Sequence, residues 1–198
     1  MNVLLKEIAT VSVGNTFRSK LQTNPEGNAQ VIQMKDLNDC NELDFEHLVK
    51  IEMPKIKPSH VARKGDLLFR TRGQTNTAAI VGTDIENAVV AAPLLRVRCK
   101  TDLVAPEYLC WFINQPESQA YFSTLATGSG IRQVGKQVLE SLQVILPPLE
   151  KQKLIAELAG LCSREQQILL ELANKRPSLV NRILMQSALE SQGGGIAP

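Results

Sequence analysis

The sequence predicts a mixed α/β globular domain followed by one long C-terminal α-helix of the coiled-coil type, and three observations support this fold class. Short apolar runs, separated by Gly, Pro, Asn and Asp, continue to about residue 146. These runs show no repeated strand–helix–strand period, which argues against a Rossmann fold. Beyond residue 146, apolar residues recur at spacings of three and four, which is typical of an amphipathic helix. We therefore expect a globular domain at 1–146, a helix at 147–191 and a flexible tail at 192–198.

The first region contains short strand and helix signals. Its best strand candidates are Asn28–Met34, Gly65–Arg70, Ala78–Val81, Ala88–Ala91, Leu94–Cys99 and Gln143–Leu146. The run Leu94–Cys99 partly alternates, which predicts a strand with one solvated face. Its helix candidates are Leu4–Ala9, Pro106–Asn114, Glu117–Leu125 and Gly135–Leu142. Pro106 and Pro116 fall at helix starts, where a missing N–H costs nothing.

The second region carries the clearest pattern in the chain. A heptad seam with one polar member runs through Leu154, Leu158, Leu161, Glu165, Ile168 and Leu172. Such a helix can lie on its own domain or pair with another long helix. About 25 residues at 1.5 Å each span roughly 40 Å, which exceeds a small domain and favours pairing. Pro177 is expected to kink or interrupt the helix, which resumes at 178–189.

Composition excludes several classes of protein. The 198 residues are 43% apolar and 21% charged, a globular composition. No apolar run approaches the length of a membrane span, and the N-terminus lacks the pattern of a signal peptide. Four cysteines contain no Cys-x-x-Cys pair, so we expect reduced, mostly buried thiols in a cytoplasmic protein: Cys40, Cys99, Cys110 and Cys162. Two histidines, His47 and His60, are too few for a histidine-rich metal centre, and we expect no metal and no cofactor.

Signatures of catalysis are incomplete throughout the chain. Residues 130–137 match the spacing of a phosphate-binding loop, but Gln137 stands where a hydroxyl must hold Mg²⁺. No lysine follows an acid at the spacing that metal-dependent nucleases use, and no Gly-x-Ser-x-Gly sequence occurs. The acids of 36–46 are typical of a solvated loop. The sequence therefore predicts a chain that is not an enzyme.

Positive charge is concentrated in one segment. Residues 53–100 hold nine bases and three acids, a net charge of +6, while residues 36–46 hold five acids and no base. Two polar loops, 70–77 and 127–133, carry side chains that can hydrogen-bond base edges. We expect DNA contacts from Arg70, Arg72, Gln74, Asn76, Ser129, Arg132 and Gln133, with Lys35 and Lys136 on phosphates. The alternative is two ordinary polar loops.

The chain resembles the specificity subunit of type I restriction–modification systems, over one target recognition domain and one spacer helix. Leu5–Ala9 with Gly14, Gly65-Asp66-Leu67-Leu68 with Arg72-Gly73, Pro106–Leu109, Thr127–Ser129 and Val144–Gln152 carry the resemblance in this order. The Gly-Asp-Leu-Leu and Leu-Pro-Pro-Leu pieces are the most specific. Lys151 departs from the family, which usually has Glu before the Gln.

The resemblance implies a function without catalysis. Such subunits bind double-stranded DNA and hold the methyltransferase (modification) and restriction subunits, and each recognition domain reads half of a bipartite target through the major groove. The usual subunit has two domains and two helices, whereas this sequence shows one of each. The resemblance therefore implies either a half-subunit that forms a homodimer through its helix or a fragment of a longer subunit. The expected dimer residues are Leu154, Leu158, Leu161, Ile168 and Leu172. Two identical domains related by a two-fold axis would read an inverted repeat.

Rival functions share part of this pattern. A stand-alone DNA-binding regulator would use the same basic loops without a methyltransferase. A coiled-coil interaction scaffold would bind no DNA. An enzyme would depend on the defective phosphate-loop match at 130–137.

Overall fold

A computed structural model of the chain describes residues 1–38, 40–73, 75–100, 102–128 and 133–192, with the side chains of the last helix described as far as 189. Tertiary contacts divide the chain into two units, Met1–Ala156 and Glu157–Pro198. All the strands that the structure describes lie in the first unit. The expected domain boundaries at residues 146 and 191 stay predictions.

The fold class is a mixed α/β domain with a long C-terminal helix, as the sequence predicts. In chain order the strands are β1 (Asn2–Leu4), β2 (Ala9–Val13), β3 (Ala29–Ile32), β4 (Val49–Ile51), β5 (Leu67–Arg70), β6 (Ala78–Ile80), β7 (Ala88–Val90), β8 (Leu94–Cys99) and β9 (Gln143–Ile145). The helices are α1 (Leu5–Ile8), α2 (Pro106–Ile113), α3 (Pro116–Leu125), α4 (Lys136–Glu140) and α5 (Leu149–Gln192). Two short 3₁₀ turns lie at Met34–Asp36 and Pro58–His60.

Three small sheets organise the first unit. An antiparallel sheet has the order β2-β8-β5-β6, and a mixed sheet has the order β4-β3-β7 with β3 and β7 parallel. The third sheet pairs β1 with β9, so Asn2 lies opposite Ile145. This pairing joins the two ends of the first unit, which lie more than 140 residues apart in sequence.

Strand β5 is buried on both faces because it separates two hydrophobic cores. Leu67 and Phe69 face a core that includes α1, α2, α3 and α4, whereas Leu68 belongs to a core with β3 and β7. Phe69 and Phe122 meet edge to face at 5.1 Å between ring centroids. The two-sided burial explains why this run reads as continuously apolar.

The Gly-Asp-Leu-Leu motif has a structural explanation. Gly65 has a φ of +85°, which favours glycine, and its N–H donates to the carbonyl of Val81. Asp66 is buried and accepts two 2.7 Å hydrogen bonds from the guanidinium of Arg98. The backbone N–H of Arg63 also donates to Asp66 at 2.8 Å. The motif therefore places three features next to one another: a turn, a buried carboxylate that pairs with Arg98, and a strand that is buried on both faces.

The start of α5 is held by one buried side chain. Gln152 is fully buried; its Oε1 accepts from the N–H of Ala105 at 3.0 Å. Its Nε2 donates to the carbonyls of Leu103 and Pro147, both at 2.8 Å. One amide thus ties the first turns of the helix to the loop that precedes α2.

Three sequence-based expectations were wrong. Strand β8 has no solvated face, because Arg96 lies on the side that the second core covers. Helix α5 is not interrupted at Pro177, whereas the kink expected there stays a prediction. The cysteines are not mostly buried, since Cys40 and Cys162 are exposed and the other two are half-buried. Strands β1, β2 and β4 were not predicted.

In the part of the chain that the structure describes, no helix has both the length and the apolar character to cross a membrane.

Candidate nucleic-acid interface

The two polar loops that the sequence singles out meet in the structure. Thr127 and Gln133 exchange backbone hydrogen bonds of 3.1 and 2.8 Å, which closes the second loop at its base. The N–H of Val134 donates to the carbonyl of Thr71 at 2.9 Å, and the Nε of Arg72 donates to the Oε1 of Gln133 at 2.9 Å. Arg72 is exposed and Gln133 half-buried, so an Arg and a Gln from distant parts of the chain form one pair at the surface.

Two other expected residues are tied into the protein. The Nη2 of Arg70 donates to the carbonyls of Leu37 and Asn38 at 2.5 and 2.6 Å. The Nδ2 of Asn76 donates to the carbonyl of Arg70 at 3.0 Å, while Gln119 bonds both the N–H and the carbonyl of Asn76. These bonds hold the first loop against neighbouring segments. DNA contact by Arg70 and Asn76 stays a prediction.

The remaining expected residues are spread more widely. Lys136 begins α4, is exposed and lies 3.5 Å from Glu140 between Nζ and Oε1. Lys35 is exposed on the first 3₁₀ turn. Gln74, Ser129 and Arg132 lie outside the described residues.

Two adjoining clefts add basic residues that the sequence analysis missed. The first, of about 610 Å³, is lined by Lys20 and Lys35 among others, and the second, also about 610 Å³, by Arg18, Lys57 and His60. They share Thr16, and the residues that line them include no acid. Arg18 and Lys20 belong to a polar segment without acids between β2 and β3, a signal that a local charge count at 15–24 would have found.

The first cleft adjoins the loop pair. Its lining includes Pro93, whose carbonyl accepts a 2.8 Å hydrogen bond from the hydroxyl of Thr71. Thr71 directly precedes Arg72 and also receives the bond from Val134. The loop that carries Arg72 is therefore tied through Thr71 to the wall of the first cleft.

His60, at the second cleft, has an unusual environment. Its Nδ1 is buried and has no hydrogen-bond partner among the described residues. Desolvation, together with Lys57 and Arg96, lowers the pKa of His60 below its ordinary value of 6.5. The ring is therefore neutral at neutral pH, and the positive charge of this cleft comes from Arg18 and Lys57.

Two of the nine bases in the basic segment do not contribute free surface charge. Arg98 forms the bidentate pair with Asp66, and this hydrogen bonding raises the pKa of Arg98. Arg96 is 5% exposed, and its Nη1 donates to the carbonyl of Val61 at 2.6 Å. The sequence-based sum of +6 for residues 53–100 thus overstates the charge available to a ligand.

The acidic loop forms local pairs. The Nδ1 of His47 lies 2.8 Å from the Oδ2 of Asp44, and hydrogen bonding with that carboxylate raises the pKa of His47. Asp36 is buried and accepts a 2.7 Å bond from the N–H of Gln33. Among the described residues, no group of His, Cys, Asp and Glu side chains is arranged to hold a metal ion.

Comparison with known proteins gives the family. The model of the type I restriction modification DNA specificity domain matches residues 1–160. The HsdS subunit from Thermoanaerobacter tengcongensis is similar in structure, with a TM-score of 0.58, 22% identity, and coverage of 87% of this chain and 39% of that subunit.

Two further structures are similar. A chain described in work on complex assembly and conformational transition of the type I R-M system has a TM-score of 0.67 and 22% identity, covering 96% of this chain and 44% of its own. The S subunit of the type I system from M. genitalium has a TM-score of 0.58 and 12% identity, with coverages of 92% and 44%. This chain spans about two fifths of the length of these solved chains. It belongs to the family of type I restriction–modification DNA specificity domains.

Proposed function

We propose that this chain is a DNA-recognition component of a type I restriction–modification system. It reads one half of a bipartite duplex target and carries out no chemistry itself. Catalysis belongs to the methyltransferase and restriction subunits, which it positions on the DNA. We place it in the cytoplasm, where such a system meets its target.

The observation that supports the DNA-reading role is the contact between the two polar loops beside the acid-free clefts. Arg72 and Gln133 are residue types whose hydrogen-bonding groups match guanine and adenine edges in the major groove. Arg18, Lys20, Lys35 and Lys57 lie along the adjoining clefts, as phosphate contacts require. The first unit therefore carries both residue types suited to base edges and residue types suited to phosphates.

We further propose that the chain works as a pair. The exposed seam of α5 supports pairing with a second copy, so two identical domains would read an inverted repeat. A longer natural chain that supplies a second domain and helix would place the same seam in an intramolecular pair. Both arrangements use the same recognition surface.

Selection from a random duplex DNA pool tests the proposal, with the chain alone and with a cognate methyltransferase subunit. We expect enrichment of a bipartite inverted repeat. Enrichment of one half-site would retain the recognition role and reject the pair. No enrichment under either condition would reject DNA recognition and favour the interaction scaffold. A chain that selects its full target and needs no methyltransferase subunit in order to function would favour a stand-alone regulator.

Substitutions separate base reading from phosphate binding. We expect Arg72→Ala to lower affinity for the selected site by about 1–3 kcal/mol and to relax specificity at one position. Lys57→Ala should weaken specific and non-specific binding alike and reduce the slope of log K against log salt by about 1. Lys151→Ala, an exposed position on the first turn of α5, is the charge-matched control. An equal loss on specific and random DNA for Arg72→Ala would remove its base-reading role.

A further inference from the structure

Strand β6 lies at one edge of the four-stranded sheet, and two side-chain amides from neighbouring helices bind its outer side. Asn114, at the end of α2, accepts from the N–H of Ala78 and donates to the carbonyl of the same residue, both at 2.8 Å. Gln119 of α3 binds Asn76 in the same way, accepting from its N–H at 3.2 Å and donating to its carbonyl at 3.0 Å. These backbone groups therefore have partners on the side where another strand could otherwise add.

The alternation of an extended chain explains why residues 76 and 78 are the ones that the amides bind. The carbonyl of Thr77 accepts from the N–H of Arg70 at 2.9 Å, so Thr77 faces β5. Successive residues of such a chain direct their N–H and carbonyl groups to opposite sides. Asn76 and Ala78 therefore face away from β5, toward the helices.

The two amides hold different parts of the chain. Ala78 is buried within β6, so Asn114 reinforces the sheet. Asn76 precedes β6 and belongs to the first loop, residues 70–77, which carries expected base-reading side chains. Gln119 therefore holds the loop, whereas Asn114 holds the strand.

The amide of Gln119 is engaged through its oxygen and both of its protons. Besides its bond to Asn76, its Nε2 donates to the carbonyl of Ile113 at 2.9 Å, in the last turn of α2. Two carbonyls thus face the nitrogen and one N–H faces the oxygen, which fixes the orientation of the group. A carboxylate of the same size would face those two carbonyls without a proton to donate.

A cavity separates much of the first loop from α3. Its volume is about 320 Å³, and it is lined by Gly73 and Thr75 from the loop and by Ser123 from the helix, among others. Gly73 has a φ of +128°, in the region that favours glycine, so the loop turns sharply there. Because side chains do not fill this space, the loop has room to shift when the hydrogen bonds of Gln119 are removed.

The first loop is also fixed across its base and on its other side. The Nδ2 of Asn76 donates to the carbonyl of Arg70 at 3.0 Å, which joins the two sides of the loop. Thr71, directly before Arg72, is bonded to the carbonyl of Pro93 at 2.8 Å. With both sides held, the exposed Arg72 loses less conformational freedom when it binds a ligand.

We propose that Gln119 is a positioning residue for DNA recognition: by holding Asn76 it fixes the first loop, and it thereby sets the base discrimination of Arg72 without touching DNA itself. The proposal rests on the DNA-reading role put forward under Proposed function. Gln119 is half-buried and both of its amide protons are bound within the protein, so it acts through the loop.

Gln119→Met tests this role, because it removes the hydrogen bonds and keeps the length of the side chain. Affinity is measured for the site that the wild-type chain selects and for random duplex DNA. We expect about tenfold weaker binding to the selected site, within the roughly 5–150-fold loss that 1–3 kcal/mol for the contact of Arg72 represents. Binding to random DNA should stay within about twofold, since phosphate contacts carry it. Gln115→Met is the matched control, because the Nε2 of Gln115 donates to the carbonyl of Trp111 instead.

A double variant with Arg72→Ala separates positioning from a general structural effect. If Gln119 acts through Arg72, Gln119→Met should cost less than about twofold in the Arg72→Ala background. The same tenfold loss in both backgrounds would overturn the proposal. An equal loss on selected and random DNA would also overturn it, because that result indicates less folded protein and no change in discrimination.

Amide hydrogen exchange tests the hold on the loop without DNA. In Gln119→Met the N–H of Asn76 should exchange at least about tenfold faster, whereas the N–H of Ala78, bound to Asn114, should keep its wild-type rate. Faster exchange at both positions would mean that the whole sheet edge opens, which contradicts a role confined to the loop. Gln119→Glu keeps the size and the acceptor, and it should show the same loss of discrimination if Gln119→Met fails to fold.

Failure of the proposed function gives a different result. A wild-type chain that selects no duplex sequence would reject the DNA-reading role and the positioning role together. A wild-type chain that selects a site, which Gln119→Met then binds with undiminished discrimination, would reject the positioning role alone.

Discussion

Gln152→Ala is expected to destabilise the first unit strongly through the loss of one buried amide. The wild-type side chain makes three hydrogen bonds, to the N–H of Ala105 and to the carbonyls of Leu103 and Pro147. Each contributes about 1 kcal/mol, and loss of the buried methylene costs about 0.8 kcal/mol more. The free energy of unfolding should therefore fall by about 3–4 kcal/mol, a large part of the ~5–15 kcal/mol typical of a domain.

Urea unfolding followed by the fluorescence of Trp111 measures this loss. Trp111 is the one tryptophan in the chain and packs beside Tyr108 at 5.4 Å between ring centroids, within the first unit. With an m-value of about 2.5 kcal/mol per M, the midpoint should fall by about 1.4 M. Lys151→Ala, on the same turn but exposed, is the control. A shift for Gln152→Ala no larger than that of the control would refute the argument.

A second substitution separates hydrogen bonding from volume. Gln152→Glu keeps the size and the acceptor for Ala105, but its carboxylate faces the carbonyls of Leu103 and Pro147. Burial and these carbonyls should raise the folded-state pKa of the new carboxyl. Its destabilisation relative to wild type is then largest above that raised pKa and shrinks as the pH falls through it, because the protonated acid can donate one bond. Equal stability of Gln152→Glu and wild type at every pH would mean that Gln152 acts through volume alone.

Three other perturbations test separate parts of the structure. Asp66→Asn breaks the bidentate pair with Arg98 and leaves buried positive charge, so the unfolding free energy should fall by about 3–5 kcal/mol, while the exposed control Glu86→Gln leaves it unchanged. The lowered pKa of His60 means that the unfolded chain binds a proton more readily below pH 6.5, so stability falls as the pH drops through that value. His60→Gln should flatten this dependence in denaturation curves, and an unaltered slope would contradict the desolvation of the ring. Leu161→Glu, on the seam, should give monomers in sedimentation experiments, whereas Leu170→Glu at position f should not; a surviving Leu161→Glu dimer would place pairing elsewhere.

The sequence predicted the bounds of a helix or strand correctly where the residues that define the element lie within it. Helices α2 and α3 agree with prediction within one residue because Pro106 and Pro116 mark their starts. Strand β8 was predicted with its observed bounds, and β5 nearly so, from their runs of β-forming residues. Strands β1 and β2 were missed, since they are short and their partners lie about 140 and 90 residues away.

The candidate DNA surface likewise combines features that the sequence predicts with features that depend on the fold. The side-chain chemistry of Arg72 and Gln133 predicts base contacts, but the bond between them joins positions 61 residues apart, and no local pattern predicts it. The alternation of Arg96 and Arg98 with apolar residues predicts a solvated face, and hence surface charge. The burial of the two guanidinium groups depends on Asp66, which lies more than 25 residues earlier in the sequence. Its carboxylate balances their positive charge only in the folded state. Arg18 and Lys20 lie in an acid-free segment that a local charge count identifies, but only the fold sets this segment beside Lys35 and Lys57.

The sequence by itself determined the fold class, the family resemblance and the heptad seam, because composition, motif order and periodicity are properties of the chain before it folds. The tertiary structure alone decided which polar residues remain available to a ligand and which anchor the fold. It also decided that α5 runs on past Pro177 as one helix. The physical reason is that a buried charge, a closed loop or an uninterrupted helix is stabilised by groups brought together from distant parts of the chain. The helix or strand propensity of a residue, by contrast, reflects only its neighbours in the sequence.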